Sequence, residues 1–194
     1  MTKINKSVIT RRQFAASATA FSIAAPGILR AQEATPAPGT VDIRTNNFST
    51  FTWKGYFPNL RNGAILVNTE GRTLHFWPED ESYTKIYPVS VPLSPELTRL
   101  GRTSIVRKRV GPDWRPTPGM LKRNPDLPKY VGPGPDNPLG THALYLSWQY
   151  YRIHGTNDTR KIGRQSSNGC IGLYNDEIEE LFALAKVGTQ VLLI

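Results

Sequence analysis

The sequence predicts a mainly β domain with one or two short helices and a long proline-rich loop. The chain of 194 residues contains 16 Gly and 16 Pro, a content that favours strands and turns over a helical bundle. Short apolar runs bounded by turn residues recur from residue 64 onward, and helical periodicity is clearest near the carboxyl end. A hydrophobic content of 39% is enough to build a core, and the length suits one domain with an appendage.

The first strands are predicted to form a β-hairpin. The apolar runs 64–68 and 73–77 flank the polar turn 69–72. Residues 85–91 predict a third strand, and Pro88 favours the edge of the sheet because proline has no N–H to donate. Further strands are predicted at 143–148, 149–154 and 191–194.

Residues 175–186 form the best predicted helix. Asp176 can cap its amino end, with Glu179 three residues later, and apolar residues at helical spacing give the helix one buried face. Gly188 stands where the helix is expected to end, because glycine tolerates the left-handed conformation that follows many helices.

Residues 107–139 differ from the rest of the chain. Eight of the 16 prolines lie between Pro112 and Pro138, so we expect neither a central strand nor a long helix here. A loop of this length in a compact domain is usually either functional or disordered. Trp114 gives it an apolar side chain to pack, so we expect an ordered flap over a site, with a purely structural insertion as the alternative.

Residues 1–31 have the layout of a secretory signal peptide. They hold five basic and no acidic residues, and the pair Arg11-Arg12 precedes the weakly apolar run 15–28. The arginine pair is typical of a twin-arginine signal, with the general secretory route as the alternative. An amphipathic helix of the folded protein or a membrane anchor is also conceivable, but the run is shorter than the roughly 20 residues that span a bilayer.

Cleavage near Ala31 would leave residues 32–59 as a flexible, Pro-rich linker or extension and residues 60–194 as the functional domain. Loss of the five basic residues leaves 19 basic against 15 acidic residues, a net charge of +4 instead of +9. Most of the basic excess therefore belongs to the signal, and a nucleic-acid partner is not expected.

The residues with reactive side chains cluster between positions 154 and 173. Cys170 is the only cysteine of the chain, so it has no partner for an intrachain disulfide. A thiol becomes nucleophilic beside a base or a positive charge, and a Gly- and Ser-rich loop can bring His154 back to its side. The small residues 167–169 can present several backbone N–H groups, as an oxyanion hole requires. Taken alone, these residue types favour a buried small hydrophobe and a structural histidine over a catalytic pair.

The spacing of these residues favours the catalytic interpretation of Cys170 and His154 over the structural one. Seven positions follow fixed gaps: His154, Gly155, Thr156, Gly163, Ser167, Gly169 and Cys170. This pattern resembles the signature of the L,D-transpeptidases with a YkuD-type catalytic domain, and the resemblance extends over about residues 60–194. It implies a YkuD-type, β-sandwich-like fold and an exported enzyme that acts on peptidoglycan.

The resemblance also implies a role for each matched residue. Cys170 would be the nucleophile that attacks the meso-diaminopimelate carbonyl of a tetrapeptide stem and releases D-Ala. His154 would be the general base, and the backbone carbonyl of Gly155 would fix its tautomer. The implied oxyanion and substrate contacts are Ser167, Asn168, Gly169 and Cys170.

The implied partners follow from this chemistry. A second stem peptide would resolve the thioester to give a 3→3 cross-link, and an envelope-protein lysine, a D-amino acid or water are other acceptors. Carbapenem-type inhibitors are expected to acylate the cysteine. No cofactor, nucleic acid or transmembrane anchor is expected, and the protein is expected to act in the periplasm. The alternatives are an L,D-carboxypeptidase or other hydrolase with the same thioester chemistry, and a non-catalytic peptidoglycan-binding domain.

One position departs from the family pattern. The family usually has Arg two residues after the cysteine, where this chain has Gly172, and glycine cannot hold a carboxylate as a guanidinium can. Substrate preference is therefore open. Arg164 in the same loop is a candidate stand-in, or else a solvated charge. Trp114 and Tyr145 are candidate groove-lining aromatics, or else core residues.

No metal site is predicted. His75 and His142 have no second His, Cys or carboxylate at metal-ligand spacing. The basic runs 107–109 and 122–123 are interpreted as solvated faces, with contacts to stem-peptide carboxylates as the alternative.

Overall fold

The structure is a computed structural model that describes residues 51–194. The elements of this range are β1 (Ala64–Asn68), β2 (Thr73–Trp77), β3 (Lys85–Pro88), β4 (Val91–Pro92), β5 (Gly101–Val110), α1 (Pro118–Arg123), β6 (His142–Leu146), β7 (Arg152–His154), β8 (Gln165–Ser167), β9 (Ile171–Gly172), α2 (Asn175–Leu184) and β10 (Gln190–Leu193). The prediction of a mainly β domain with one or two short helices is confirmed. The predicted signal peptide and most of the predicted linker lie outside the described residues. Within residues 51–194, no helix is long and apolar enough to cross a membrane.

Eight strands form one curled mixed sheet in the order β3-β2-β1-β10-β5-β6-β7-β9. The predicted hairpin is confirmed, because β1 and β2 pair antiparallel with Ala64 opposite Trp77. The closing strand β10 lies inside the sheet, parallel to β1 and antiparallel to β5. A separate pair is formed by β4 and β8. The last strand in sequence therefore joins the amino-terminal hairpin to the half of the sheet that carries β7 and β9.

The main core lies between the sheet and α2. Ile178 and Leu181 of α2 are fully buried against apolar side chains of most of the strands, and burial of each such side chain contributes about 2 kcal/mol. A second cluster forms where Phe57 and Leu60 pack against alternate residues of β1 and β2. The predicted extension 32–59 therefore overlaps the packed domain at its carboxyl end.

Several boundaries differ from the sequence-based expectation. The prediction that 107–139 supplies no part of a central strand is wrong for residues 107–110, because the prolines begin only at Pro112. These residues continue β5 and pair with β6, whereas β10 pairs only with Gly101–Ser104. The predicted strand 149–154 begins only at Arg152, since Tyr150 adopts a φ of +67° in the preceding turn.

The predictions of the third strand and of the helix cap also differ from the structure. The predicted third strand 85–91 is divided into β3, which lies at the sheet edge as Pro88 indicates, and β4, which pairs with β8. Tyr174 is the N-cap of α2, so the predicted Asp176 cap is wrong.

Residues 111–141, here called the flap, are fixed by one buried amide. Asn137 donates from Nδ2 to the carbonyls of Pro112 and Gly132, both at 2.8 Å, and its Oδ1 accepts from the N–H of Leu139 at 2.8 Å. Proline-rich backbone has few N–H donors of its own. The side chain of Asn137 supplies them and gives the flap an ordered path.

Candidate active site

A cavity of about 670 Å³ lies between the flap and the strands β7 and β9. Trp114 and Met120 line it from the flap, and His154 and Cys170 line it from the opposite side. The histidine and the cysteine are sixteen positions apart in sequence and share one cavity. The flap therefore forms one wall of the cavity that both residues line.

The parallel pairing of β7 with β9 brings these two residues together. Ile153 lies opposite Ile171, and His154 lies opposite Gly172. Both isoleucines are buried in the main core. Because side chains alternate along a strand, His154 and Cys170 project to the other face, which borders the cavity.

A backbone carbonyl fixes the tautomer of His154. Its Nδ1 lies 2.5 Å from the oxygen of Gly155, and a carbonyl only accepts hydrogen bonds. Nδ1 therefore carries the proton in the neutral ring, and Nε2 is left as an acceptor. Burial lowers the pKa of His154 to about 4, with Arg152 and Lys161 acting in the same direction against the effect of the Gly155 carbonyl. The imidazole is consequently neutral at physiological pH.

Asn175, at the start of α2, fixes the chain that follows His154. Its Oδ1 accepts from the N–H of Thr156 at 3.1 Å and from the N–H of Thr141 at 3.2 Å. A Cβ on Gly155 would overlap this oxygen, so the position requires glycine. Sequence reasoning missed Asn175, because a helix-start asparagine indicates a cap rather than a bridge between two distant loops.

The thiol of Cys170 donates to the carbonyl of Tyr150 at 3.4 Å. Burial raises the pKa of this thiol, and the charge and N–H groups of Arg152 offset only part of that rise. Since the pKa of His154 is lowered at the same time, the resting pair is a neutral thiol and a neutral imidazole. A nucleophilic sulfur therefore requires transfer of the thiol proton to a base, and Nε2 of His154 is a free ring nitrogen in the same cavity.

The loop before Cys170 is closed by Ser167. Its Oγ donates to the carbonyl of Cys170 at 2.6 Å and accepts from the N–H of Gly169 at 3.3 Å. Asn168 and Cys170 of this loop line the cavity, so their backbone N–H groups are the candidates for an oxyanion hole. Arg123 of α1 donates to Asn168 Oδ1 at 2.9 Å and ties the flap to this loop.

The structure separates the remaining candidates by position. Arg164 is exposed and does not line the cavity, and its backbone carbonyl accepts from Val91 at 3.0 Å. A role for Arg164 beside the substrate thus remains a prediction without a contact to support it. Tyr145 lies outside the cavity as well, with Arg107 at 3.8 Å and Arg152 at 5.0 Å from its ring centroid. Sequence reasoning missed Arg152, which is the guanidinium that borders the thiol.

The other two histidines have structural surroundings. His75 is fully buried, with Nε2 3.1 Å from Thr73 Oγ1. His142 packs against Phe182, with 4.7 Å between the ring centroids. Across residues 51–194, no group of three or more His, Cys, Asp or Glu side chains is placed to hold a metal ion.

Residues 62–193 match the family model described as YkuD, L,D-transpeptidase catalytic domain. The chain belongs to this L,D-transpeptidase family. The ORF 5 protein of the ATP synthase subunits region of Fuscovulum blasticum, named as an L,D-transpeptidase, is 51% identical over 179 residues that cover 92% of each chain. The L,D-transpeptidase ErfK/SrfK of Escherichia coli strain K12 is 34% identical over 173 residues. That match covers 87% of this chain but only 56% of the Escherichia coli protein.

The fold also matches solved L,D-transpeptidases. The structure of LdtMt1 in complex with imipenem superposes with a TM-score of 0.52 and 16% identity, over 69% of this chain and 59% of that chain. Identity at this level shows the fold alone. The predicted fold class, a mainly β L,D-transpeptidase domain, is confirmed.

In this L,D-transpeptidase, Ser90 occupies the space in front of the glycine that replaces the family's usual arginine. Ser90 and Gly172 pair through two backbone hydrogen bonds of 2.8 and 3.1 Å. A Cβ at position 172 would overlap Ser90 Oγ, and Ser90 is itself buried. The departure at Gly172 is therefore coupled to a second residue that the motif does not contain.

Gly172→Arg should lower the free energy of unfolding by about 1–3 kcal/mol, because it overpacks this contact. Ser90→Gly in the same chain should recover part of the loss. Chemical denaturation of the two single variants and the double variant measures the coupling. Gly55→Arg is the matched control, since no atom lies within 4 Å of a Cβ at that exposed position. Strictly additive effects in the double variant would contradict the contact.

Proposed function

We propose that this protein is an exported L,D-transpeptidase that remodels peptidoglycan through a thioester on Cys170. The observation that supports it most strongly is that the only thiol of the chain and a histidine of fixed tautomer line one cavity. Deprotonating a thiol at the moment of attack requires a neutral base with a free ring nitrogen, and Nε2 of His154 meets that requirement.

In the first half-reaction, Sγ of Cys170 attacks the meso-diaminopimelate carbonyl of a tetrapeptide stem as its proton passes to Nε2 of His154. The N–H groups of Asn168 and Cys170 stabilise the resulting oxyanion. The imidazolium then returns the proton to the amine of the terminal D-Ala, which leaves. The products of this step are a thioester on Cys170 and free D-Ala.

In the second half-reaction, the diaminopimelate amine of another stem attacks the thioester. Its proton passes to His154, the thiol is released, and a 3→3 cross-link results. The lysine amine of an envelope protein can react in the same way.

The wall of the cavity suits a peptide that carries carboxylates. Arg115, Arg123 and Lys161 supply positive charge, and Trp114 and Leu139 supply apolar surface. Stem peptides combine carboxylates with short aliphatic segments, so both kinds of surface have a partner. Because peptidoglycan lies outside the cytoplasmic membrane, the proposal includes export by the twin-arginine-type signal of residues 1–31 and action in the periplasm.

Incubation of the protein with a disaccharide-tetrapeptide should yield a cross-linked dimer that has lost one D-Ala, detected by mass spectrometry. Cys170→Ala and His154→Ala should each lower the rate by at least about a hundredfold. His142→Ala is the matched control and should retain wild-type rates, since that ring packs against Phe182 away from the cavity.

Two other outcomes of this assay would indicate a hydrolase or a non-catalytic binding domain instead of a transpeptidase. Trimmed monomer without dimer would contradict transfer and indicate an L,D-carboxypeptidase. Unchanged substrate with the wild-type protein, as with Cys170→Ala, would contradict both enzymatic functions and favour a peptidoglycan-binding domain.

Imipenem, the carbapenem in the LdtMt1 complex, should acylate Cys170. Attack of the thiol on the lactam carbonyl opens the ring with no leaving group, so intact-protein mass spectrometry should show addition of the whole inhibitor. The adduct should be absent from Cys170→Ala and formed much more slowly by His154→Ala. An adduct of equal yield in Cys170→Ala would place the acylation on another residue and contradict the proposed nucleophile.

A further inference from the structure

The register of β7 and β9 places Arg152 next to Cys170 on the neighbouring strand, just as it places His154 opposite Gly172. The register of β7 and β9 pairs Ile153 with Ile171, and Arg152 and Cys170 each come one residue earlier. Arg152 and His154 share one face of β7, because side chains alternate along a strand. All three side chains with reactive or charged ends on this face line the same cavity: Arg152, His154 and Cys170.

One donor of the Arg152 guanidinium is unused. Its Nε is buried and has no hydrogen-bond partner. Its Nη1 donates at 3.3 Å to the carbonyl of Tyr150, which is the same oxygen that accepts the thiol of Cys170. A buried N–H without an acceptor is energetically unfavourable. An acceptor that appears only during the reaction would explain why this donor is kept.

The charge of Arg152 is also unbalanced. Among the ion pairs of the described range, none involves Arg152. Its guanidinium lies 5.0 Å from the ring centroid of Tyr145, a contact that positions the group without neutralising it. An unpaired guanidinium next to a thiol stabilises negative charge on the sulfur.

We infer that Arg152 is a further catalytic residue, which holds the Cys170 thiolate through its Nε–H. The inference rests on the proposed function. The step is balanced by one proton transfer: the thiol proton passes from Sγ to Nε2 of His154, the bond from sulfur to the Tyr150 carbonyl is lost, and the sulfur accepts from Arg152 Nε. Nη1 of Arg152 continues to donate to the Tyr150 carbonyl throughout.

The electrostatics around the sulfur agree with this role. After the dominant effect of burial, which raises the pKa of Cys170, the charge and the N–H groups of Arg152 are the influences that lower it. The neighbouring titratable group Tyr151 has a raised pKa, caused first by burial and next by the negative charge of Cys170. Tyr151 donates its hydroxyl to the carbonyl of Leu97 at 3.0 Å, so it is not engaged with the thiol as a donor.

The test measures the reactivity of Cys170 without any substrate. Second-order rates of alkylation by iodoacetamide are determined across pH for the wild type, Arg152→Met, Arg152→Lys and Arg107→Met. Methionine keeps the length of the side chain and removes the charge. Arg107 is the matched control, because it stacks on the other flank of Tyr145 and does not line the catalytic cavity.

Arg152→Met should raise the apparent pKa of the thiol by about one unit, which corresponds to an about tenfold slower alkylation at neutral pH. Arg152→Lys should recover most of the rate, and Arg107→Met should match the wild type. The ratio of the rates with anionic iodoacetate and with neutral iodoacetamide should fall in Arg152→Met, since that ratio measures local positive charge. Thermal melting of each variant separates this effect from a loss of folding.

Two results would overturn the role of Arg152. One is a pH profile of Arg152→Met that superimposes on that of the wild type. The other is an equal shift in Arg107→Met. Both alkylation measurements are independent of the disaccharide-tetrapeptide assay of the proposed function. A wild-type protein that forms no dimer but shows the Arg152 effect would contradict the proposed function alone, and one that forms dimer without the Arg152 effect would contradict the role of Arg152 alone.

Discussion

The short parallel pairing of β7 with β9 determines where His154 and Cys170 lie. On its other edge, β9 is held by the two backbone hydrogen bonds between Gly172 and Ser90. A strand of two residues has almost no stability of its own, so its register depends on these neighbours and on the burial of Ile153 and Ile171. Because a slip of one residue would exchange the two faces of the strand, burial of the isoleucines also directs Cys170 into the cavity.

Burial of this face then sets the protonation states. The same loss of water lowers the pKa of His154 and raises that of Cys170, so a resting thiolate–imidazolium pair is disfavoured. A neutral thiol is less susceptible to oxidation than a thiolate, so this resting state protects the sulfur of Cys170. Reactivity then depends on fixed donors around the sulfur: the amides of the cysteine loop and the guanidinium of Arg152. The flap, whose path is fixed by Asn137, forms the opposite wall of the same cavity.

The parts of the structure that sequence predicted are those with local causes. The β1–β2 hairpin follows from alternation around a turn, and the pairing of His154 with Cys170 follows from a motif with fixed gaps. What sequence did not predict depends on contacts between distant residues. Asn175 bridges two loops, Ser90 fills the space before Gly172, and Arg152 acquires its position only through the β7–β9 register. The end of β5 was missed for a different reason: the proline-rich segment was taken to begin at residue 107, five residues before its first proline, Pro112.

Nitrogen-15 NMR of the His154 imidazole across pH tests the protonation state of the proposed catalytic pair most directly. The Nδ1–H tautomer held by the Gly155 carbonyl should show a pyrrole-type Nδ1 and a pyridine-type Nε2 at neutral pH. Protonation should occur near pH 4, well below the ordinary value of 6.5, because burial disfavours the charged ring. An Nε2–H tautomer, or a pKa at or above 6.5 that drops when Cys170 is replaced by Ala, would show a resting ion pair and contradict this account.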